Sequence, residues 1–154
     1  MKGIAKKAVT RLGSTLAAAA VATTALVAVS SSPAMAAPDG YLYAWEQDNR
    51  GGQVCMWQGN DGDWATCGVH GATTGRNMRN KASSIHNNGY SHAVRLFYTT
   101  TSTSAYACLH VGTAWFEMAR GGENGPRFNL GGTNGRGALV NNNVARHSWH
   151  QTCS

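Results

Sequence analysis

The sequence predicts an all-β domain held together by disulfides, and three observations carry that prediction. Short runs rich in aromatic and β-branched residues recur along the chain, each bounded by Gly, Asn, Asp or Ser/Thr clusters that favour turns. After Ala36, few stretches longer than ten residues keep the 3.6-residue period of an amphipathic helix. All four cysteines lie in the same part of the chain. Together these features favour a β-sandwich or barrel.

The first 36 residues are predicted to be a secretory signal peptide. An apolar run at 16–29 is too short for a membrane-spanning helix, and the small-x-small pattern at 34–36 predicts cleavage after Ala36. The basic residues that precede this run are Lys2, Lys6, Lys7 and Arg11. We therefore expect a secreted, extracellular protein with one mature domain at 37–154.

Charge argues against several classes of partner. Loss of the leader removes four of the thirteen Lys and Arg residues, which leaves nine cations against seven acidic residues and a net charge of +2. These cations are scattered, so we expect no nucleic-acid partner. No segment is amphipathic enough to bind a membrane, so we expect no membrane partner. We also expect the protein to be a monomer.

Six strands are predicted in chain order, and turn signals separate them. Gly51-Gly52 ends the first strand, the loop GNDGD at 59–63 follows the second, and the polar run TTTSTS at 99–104 follows the fourth. That polar run is interpreted either as an exposed loop or edge strand, or as an arm held out for a partner. Two glycine-rich stretches, 121–126 and 131–135, make the last third rich in loops. The predicted strands are 41–46, 53–58, 82–86, 92–99, 105–111 and 114–118.

The cysteine count predicts two disulfides, because an even number in an exported chain is typical of a disulfide framework. Three pairings are possible, and we favour Cys55–Cys67, which closes a local hairpin, and Cys108–Cys153, which ties the C-terminus to the middle of the chain. Each contributes about 2–4 kcal/mol in the loop-entropy model. A zinc site is the rival interpretation, but no CxxC pair is present and we expect no metal.

A weak internal repeat suggests two related halves. The run NKASS at 80–84 is echoed by NVARH at 143–147, and both follow Gly- and Asn-rich segments. Two such halves fit a two-motif Greek-key sandwich.

The segments YAWEQDNRGGQ at 43–53 and RNKASSIHNNG at 79–89 resemble the βγ-crystallin pattern. More narrowly, the chain is similar to the secreted metalloproteinase-inhibitor family of actinobacteria, whose members have that fold. The shared features are an aromatic-acidic strand, an N-x-GG turn, a Trp segment and an Asn-x-Ala-Ser-Ser strand. They are found here at Trp45-Glu46, at 49–52, at Trp57 or Trp64, and at 80–85. The resemblance implies a βγ-crystallin-like Greek-key β-sandwich, and it is loose after Tyr98.

The calcium motifs of that fold are incomplete here. The leading ligand position of the first copy is Arg79, and the second copy has Arg146-His147 where serines are expected. Calcium prefers six to eight oxygen ligands and is repelled by a cation, so we expect no calcium or weak binding. We interpret Ser83-Ser84 as a structural corner that hydrogen-bonds its own turn.

The family resemblance implies a proteinaceous inhibitor of an extracellular zinc metalloprotease of the thermolysin-like class. A rigid, disulfide-anchored loop would enter the protease cleft as a slow substrate, with a bulky apolar residue just after the scissile bond. Cys108–Leu109 is the candidate reactive bond, and an ordinary core strand with a bridged Cys108 is the alternative. The expected flanking contacts are Tyr106, Ala107, His110 and Val111.

The residues give little support for an enzyme. HExxH and GxSxG are absent, and His147 and His150 form only an HxxH pattern. We expect no catalytic residues and no cofactor. The runner-up function is an antimicrobial (killer-toxin-like) or cell-wall-binding module, for which Trp57, Trp64, Trp115 and Trp149 are candidate sugar platforms.

Overall fold

The chain folds into two four-stranded antiparallel sheets in a computed structural model, which describes residues 37–66 and 76–153. The predicted signal peptide and Cys67 lie outside the described residues. Within the described ranges, no helix is long and apolar enough to span a bilayer. The strands are β1 (Tyr41–Trp45), β2 (Val54–Trp57), β3 (Ser84–Asn88), β4 (Ala93–Phe97), β5 (Ala105–Leu109), β6 (Ala114–Trp115), β7 (Leu130–Gly131) and β8 (Arg146–His150). Short 3-10 turns occupy Asp48–Arg50 and Gly122–Asn124.

The first sheet has the order β2-β1-β3-β6, and alternation along β1 explains how it is built. Leu42 and Ala44 are fully buried, whereas the three aromatic residues that alternate with them lie on the outer face. Successive side chains of a strand point to opposite faces, so this alternation fixes which side packs on the core. Tyr43 and Trp45 stack on the outer face, with ring centroids 5.5 Å apart.

The second sheet has the order β7-β5-β4-β8. From its central strands, Val94, Leu96, Ala107 and Leu109 face the first sheet. The two buried faces meet in one core, to which Trp64, Phe128 and Met78 contribute the largest buried side chains outside the strands. Trp57 and Trp64 stack in this core with ring centroids 4.6 Å apart. Two of the candidate sugar platforms are therefore core residues.

Each half of the chain contributes one segment to the sheet of the other half. β6 follows β4 and β5 in sequence but pairs with β3 of the first sheet. In return, Asp61 follows β2 but forms an isolated antiparallel bridge with His147 of β8 in the second sheet. Each half thus completes the other, which is a two-motif Greek-key sandwich as predicted from the repeat.

The internal repeat exists, and its register differs by one residue from the sequence alignment. The N–H of Asn80 donates to the carbonyl of Val144 (2.8 Å), and the N–H of Asn142 donates to the carbonyl of Ala82 (2.9 Å). Asn80 and Asn142 also share a left-handed backbone, with φ of 57° and 56°. These reciprocal contacts pair Asn80 with Asn142 rather than with Asn143, because the left-handed corner marks the equivalent positions.

All six predicted strands are confirmed, although the sixth is only two residues long. β7 and β8 were missed. β8 reads Arg-His-Ser-Trp-His, and its core position is occupied by the polar residue His147, so the apolar alternation that reveals a strand is absent. The Cys108–Cys153 disulfide is confirmed, with Cα atoms 5.6 Å apart. The pairing of Cys55 with Cys67 stays a prediction, since Cys67 is outside the described residues.

Candidate functional site

One end of the sandwich contains the predicted reactive bond, Cys108–Leu109, and the disulfide beside it. The antiparallel registers place the C-terminal ends of β3, β5 and β8 at this end. We call the segments 89–92, 109–113 and 151–153 the disulfide end, because the Cys108–Cys153 bond closes it. Two of the exposed large hydrophobic side chains, Tyr90 and Val111, belong to it.

Asn87 organises the disulfide end from inside the protein. Its fully buried side chain donates from Nδ2 to the carbonyls of His92 (2.9 Å) and Leu109 (3.1 Å), and Oδ1 accepts from the N–H of Gly89 (3.0 Å). Its backbone carbonyl accepts from Gly112 (2.9 Å), and its N–H donates to Thr113 (3.0 Å). One residue therefore ties the β3–β4 connection to the β5–β6 turn.

The β5–β6 turn presents an apolar side chain to solvent. The N–H of Thr113 donates to the carbonyl of His110 (3.1 Å), and Gly112 adopts φ of +69°, a conformation that favours glycine. Val111 lies at the top of this turn and is 43% exposed. The turn is thus short, hydrogen-bonded at its base and apolar at its tip.

The disulfide fixes the residue before the turn. The ring nitrogens of His110 lie 3.6 and 3.7 Å from Cys153 Sγ. Cys108, His110 and Cys153 form a compact group with the spacing of metal ligands. Both sulfurs belong to the disulfide, and metal-binding cysteines need to be thiolates, so this group is a covalent anchor with an imidazole beside it.

The predicted reactive bond lies at the end of β5. Leu109 is fully buried in the core, and Cys108 is half-buried and pairs with Arg95 of β4. Of the predicted flanking residues, Ala107 is buried, Tyr106 is half-buried within β5, and only His110 and Val111 are exposed. This placement corresponds to the core-strand alternative for Ala105–Leu109. For Leu109 to enter a protease pocket, the last residue of β5 would have to leave the sheet.

The polar run at 99–104 lies at the opposite end of the sandwich. It connects β4 to β5, so the whole length of β5, about 13 Å, separates it from Leu109. Ser104 closes the turn by donating from Oγ to the carbonyl of Thr101 (3.1 Å), and Arg146 Nη1 donates to the carbonyl of Thr100 (3.3 Å). The run is an exposed, hydrogen-bonded loop and not an arm next to the candidate bond.

The HxxH pattern does not form a metal face. His147 is fully buried, its Nδ1 accepts from the indole N–H of Trp64 (2.8 Å), and its Nε2–H donates to the carbonyl of Gly59 (2.8 Å). Both nitrogens are therefore used in the core. His150 is three residues along the strand, on the other face, and hydrogen-bonds Ser148 (2.8 Å). Burial and the charge of Arg95 lower the pKa of His150.

Arg79, which stands at the leading position of the first incomplete calcium motif, forms an ion pair. Its Nε donates to Asp63 Oδ1 (2.6 Å), and Nη2 pairs with the other carboxylate oxygen. Hydrogen bonding from Arg79 lowers the pKa of Asp63, which keeps the carboxylate ionised and paired. The weak-calcium prediction stays a prediction. Ser84 hydrogen-bonds the β1–β2 connection rather than its own turn, since its Oγ donates to Gln47 (2.7 Å) and accepts from Arg50 (3.1 Å).

Asn87 and Tyr90 were not found from the sequence. The signal was available, because Asn87-Asn88-Gly89 lies between two predicted strands and Asn-Gly is a strong hairpin-turn signature. It marks the turn, but it does not reveal that a buried amide also bonds to a turn more than twenty residues later.

The model of peptidase inhibitor family I36 matches residues 30–109, just over half of the chain. The chain belongs to peptidase inhibitor family I36. The protein is therefore a non-enzymatic peptidase inhibitor, and its partner is a peptidase. The match ends at Leu109, so the β5–β6 turn begins where the family pattern stops.

The solved structures similar to this I36 protein include βγ-crystallins. One belongs to a study of the evolution of the eye-lens βγ-crystallin domain fold (12% identity, 73% of this chain and 87% of that chain covered, TM-score 0.48). Others are an archaeal βγ-crystallin (14% identity, 71% and 96% covered, TM-score 0.46) and one from Ciona intestinalis (13% identity, 72% and 100% covered, TM-score 0.46). No curated protein matches the chain.

Proposed function

We propose that this I36 protein is secreted and inhibits an extracellular zinc metalloprotease of the thermolysin-like class with the segment at 108–112. The single observation that carries the proposal is an apolar side chain, Val111, exposed on a turn whose two ends are fixed. The Cys108–Cys153 bond fixes the entry to the turn, and Asn87 fixes its base. A preorganised loop loses little conformational entropy when it enters a cleft, which favours tight binding.

Two bonds in this segment precede an apolar residue, Cys108–Leu109 and His110–Val111. Since Leu109 is fully buried and Val111 is 43% exposed, His110–Val111 is the bond that the folded protein offers without local unfolding. Cys108–Leu109 becomes available only if the end of β5 opens. A bulky apolar residue follows the bond in both cases, which is what the proposed class of protease prefers.

The disulfide would hold the two products of cleavage together. Both candidate bonds lie between Cys108 and Cys153 along the chain, so a cut at either one leaves the two products covalently joined. β5 and β6 also stay paired with different strands, β4 and β3. The new termini therefore remain close together, as a slow, resealable substrate requires.

Substitution at the turn tests the proposal. Val111→Ser keeps the backbone and removes the apolar side chain, and we expect it to weaken inhibition of a thermolysin-like protease by at least about tenfold, or about 1.4 kcal/mol. Leu130→Ser is the matched control, because Leu130 is comparably exposed (40%) but lies on β7. An inhibition constant unchanged by Val111→Ser would remove the turn from the proposed interface.

Secretion has its own test. Residues 1–154 are expressed in a secreting host, and the protein recovered from the medium is sequenced from its N-terminus. The secreted chain should begin at Ala37. Retention of the intact N-terminus would contradict the proposed leader.

A further inference from the structure

A cavity of about 390 Å³ at the disulfide end takes none of its lining residues from 108–112, the segment proposed for inhibition. Two aromatic rings, Tyr90 and Trp149, form its walls, and four polar side chains line it: Gln58, Asn60, Ser91 and His92. Its volume lies in the range of small-molecule sites, roughly 300–1,000 Å³.

Both rings rest directly on glycine backbones. A Cβ added to Gly40 would lie 2.7 Å from Tyr90 Cε2, and a Cβ added to Gly89 would lie 2.6 Å from Trp149 Cζ3. A side chain at either glycine would displace the ring above it. The aromatic walls therefore depend on two bare backbone positions.

Trp149 is fixed in place, whereas Tyr90 is open to solvent. The indole N–H donates to the carbonyl of Gly59 (3.0 Å), and the backbone N–H of Trp149 donates to Asn60 Oδ1 (2.7 Å). Tyr90 is 73% exposed, the highest value among the large hydrophobic side chains of the described ranges. A tyrosine this exposed, beside an anchored tryptophan, leaves aromatic surface for a ligand.

The charge of the lining selects the chemistry of that ligand. No carboxylate, ammonium or guanidinium group belongs to the lining residues within the described part of the chain. Phosphorylated and carboxylated ligands are most often recognised by such cations, which these lining residues do not provide. Amide and hydroxyl groups instead pair with hydroxyls as both donors and acceptors, and aromatic faces cover apolar C–H surfaces.

We propose that the Tyr90–Trp149 cavity binds an uncharged carbohydrate, with a sugar ring against the aromatic walls and its hydroxyls on Gln58, Ser91 and His92. Trp149 is the one tryptophan of the four sequence candidates that lines this cavity. Trp57 and Trp64 stack in the core instead. The site would hold the inhibitor on a neutral polysaccharide, independently of the peptidase.

Calorimetric titration of the oxidised protein with hexasaccharides of glucose (β-1,3- and β-1,4-linked) and of N-acetylglucosamine tests this proposal. We expect at least one neutral hexasaccharide to bind with a Kd of about 1 mM or tighter, and a galacturonate hexasaccharide not to bind. Tyr90→Ala should weaken the binding at least about tenfold. Gln58→Ala provides a second test at a polar lining residue, and Leu130→Ala is the control for loss of an exposed apolar side chain elsewhere.

Three results would overturn the proposal. The first is that no neutral hexasaccharide binds at 10 mM, roughly ten times the weakest expected Kd. The second is binding that survives both Tyr90→Ala and Gln58→Ala. The third is a protein that binds no sugar but loses peptidase inhibition on Tyr90→Ala, which would assign the cavity to the peptidase interface.

Discussion

His147 is a polar residue that takes a core position of a strand, and its ionisation is the clearest pH-sensitive feature of the structure. Burial is the main cause that lowers its pKa from the ordinary 6.5 to about 4, and the charge of Arg146 lowers it further. The hydrogen bond to the carbonyl of Gly59 opposes this shift. The ring is therefore neutral in the folded protein at neutral pH.

Stability is expected to fall as the pH drops from about 6.5 to about 4. In that window the unfolded chain binds a proton at His147 and the folded protein does not, so acid favours unfolding. The loss from this residue is about 3 kcal/mol when complete. His86 adds to it with the same sign, because burial and the nearby charge of Arg50 also lower its pKa.

Urea unfolding between pH 4 and pH 7.5, with NMR titration of the His147 ring, measures this dependence. A His86→Gln variant separates the second contribution from the first. Protonation of the His147 ring above pH 6 in the folded protein would contradict the prediction.

Asn87 is expected to be the most costly polar residue to remove at the disulfide end. Asn87→Ala leaves the carbonyls of Leu109 and His92 without a side-chain donor and should lower the free energy of unfolding by about 2–4 kcal/mol. Asn88→Ala is the control, since Nδ2 of that residue makes a hydrogen bond to Ala37 (3.0 Å) and its loss should cost about 1 kcal/mol. Equal losses in the two variants, measured by urea unfolding, would argue against the organising role of Asn87.

At the residue scale, the sequence predicted the covalent anchor but not the exposure of its neighbours. Cys108 and Cys153 pair as expected, because an even cysteine count and the predicted export limit the pairings to three possibilities. Because β5 ends at Leu109, Leu109 is buried and Val111 is exposed. The predicted strand, 105–111, extended two residues too far. Strand ends are set by tertiary hydrogen bonds such as those of Asn87, which one-dimensional patterns do not contain.

At the element scale, Gly135 and Gly137 provide a matched pair in the loop that follows β7. Both adopt φ of +83°, so alanine at either position meets the same backbone strain. A Cβ at Gly135 would also overlap the ring of Tyr98, whereas a Cβ at Gly137 would meet open space. We expect Gly137→Ala to cost about 1–2 kcal/mol and Gly135→Ala clearly more, because overpacking adds about 1–3 kcal/mol. Thermal or urea unfolding of both variants checks the difference, and equal costs would contradict it.

The Cys108–Cys153 bond joins the second sheet to the C-terminus across 45 residues. For a loop of that length, the chain-entropy model gives about 4 kcal/mol of stabilisation. The double variant Cys108→Ser with Cys153→Ser should lose about this much and should also inhibit more weakly, because the entry to the turn is no longer fixed. A variant that unfolds at the wild-type urea concentration would contradict the prediction.

The predicted strands were found as short runs of aromatic and β-branched residues between turn signals, and β7 and β8 were not found in this way. β1 (YLYAW) is rich in aromatic residues and β4 (AVRLF) in apolar residues, and both strands lie in the middle of a sheet. β7 has two exposed residues, and β8 places His147 where an apolar residue is expected, so neither contains the pattern. Their pairing is imposed by the rest of the sheet.

At the scale of the whole molecule, the exchange of one segment between the two sheets unites the two halves of the chain. β6 completes the first sheet and Asp61 reaches the second, so neither half has a complete sheet alone. The sequence repeat indicated two halves and a Greek-key fold, but its alignment was one residue out, because Asn141, Asn142 and Asn143 look equivalent in sequence. Only the left-handed corner at Asn142 identifies the match to Asn80.

The same organisation supports the proposal that the disulfide end is the inhibitory site. The β5–β6 turn crosses from one sheet to the other, and Asn87 on β3 holds it at its base. A protease that cuts this turn would face a molecule whose two sheets, core and disulfide all resist separation of the products.

The most direct measurement is a titration of the oxidised protein against a thermolysin-like metalloprotease, with intact-mass spectrometry of the mixture. We expect stoichiometric inhibition and slow appearance of a single species heavier by one water, which reduction separates into two fragments joined through Cys108 and Cys153. Fragment masses should place the cut at His110–Val111, or at Cys108–Leu109 if the end of β5 opens. Absence of inhibition, or rapid digestion at many bonds, would contradict the proposed role of the turn.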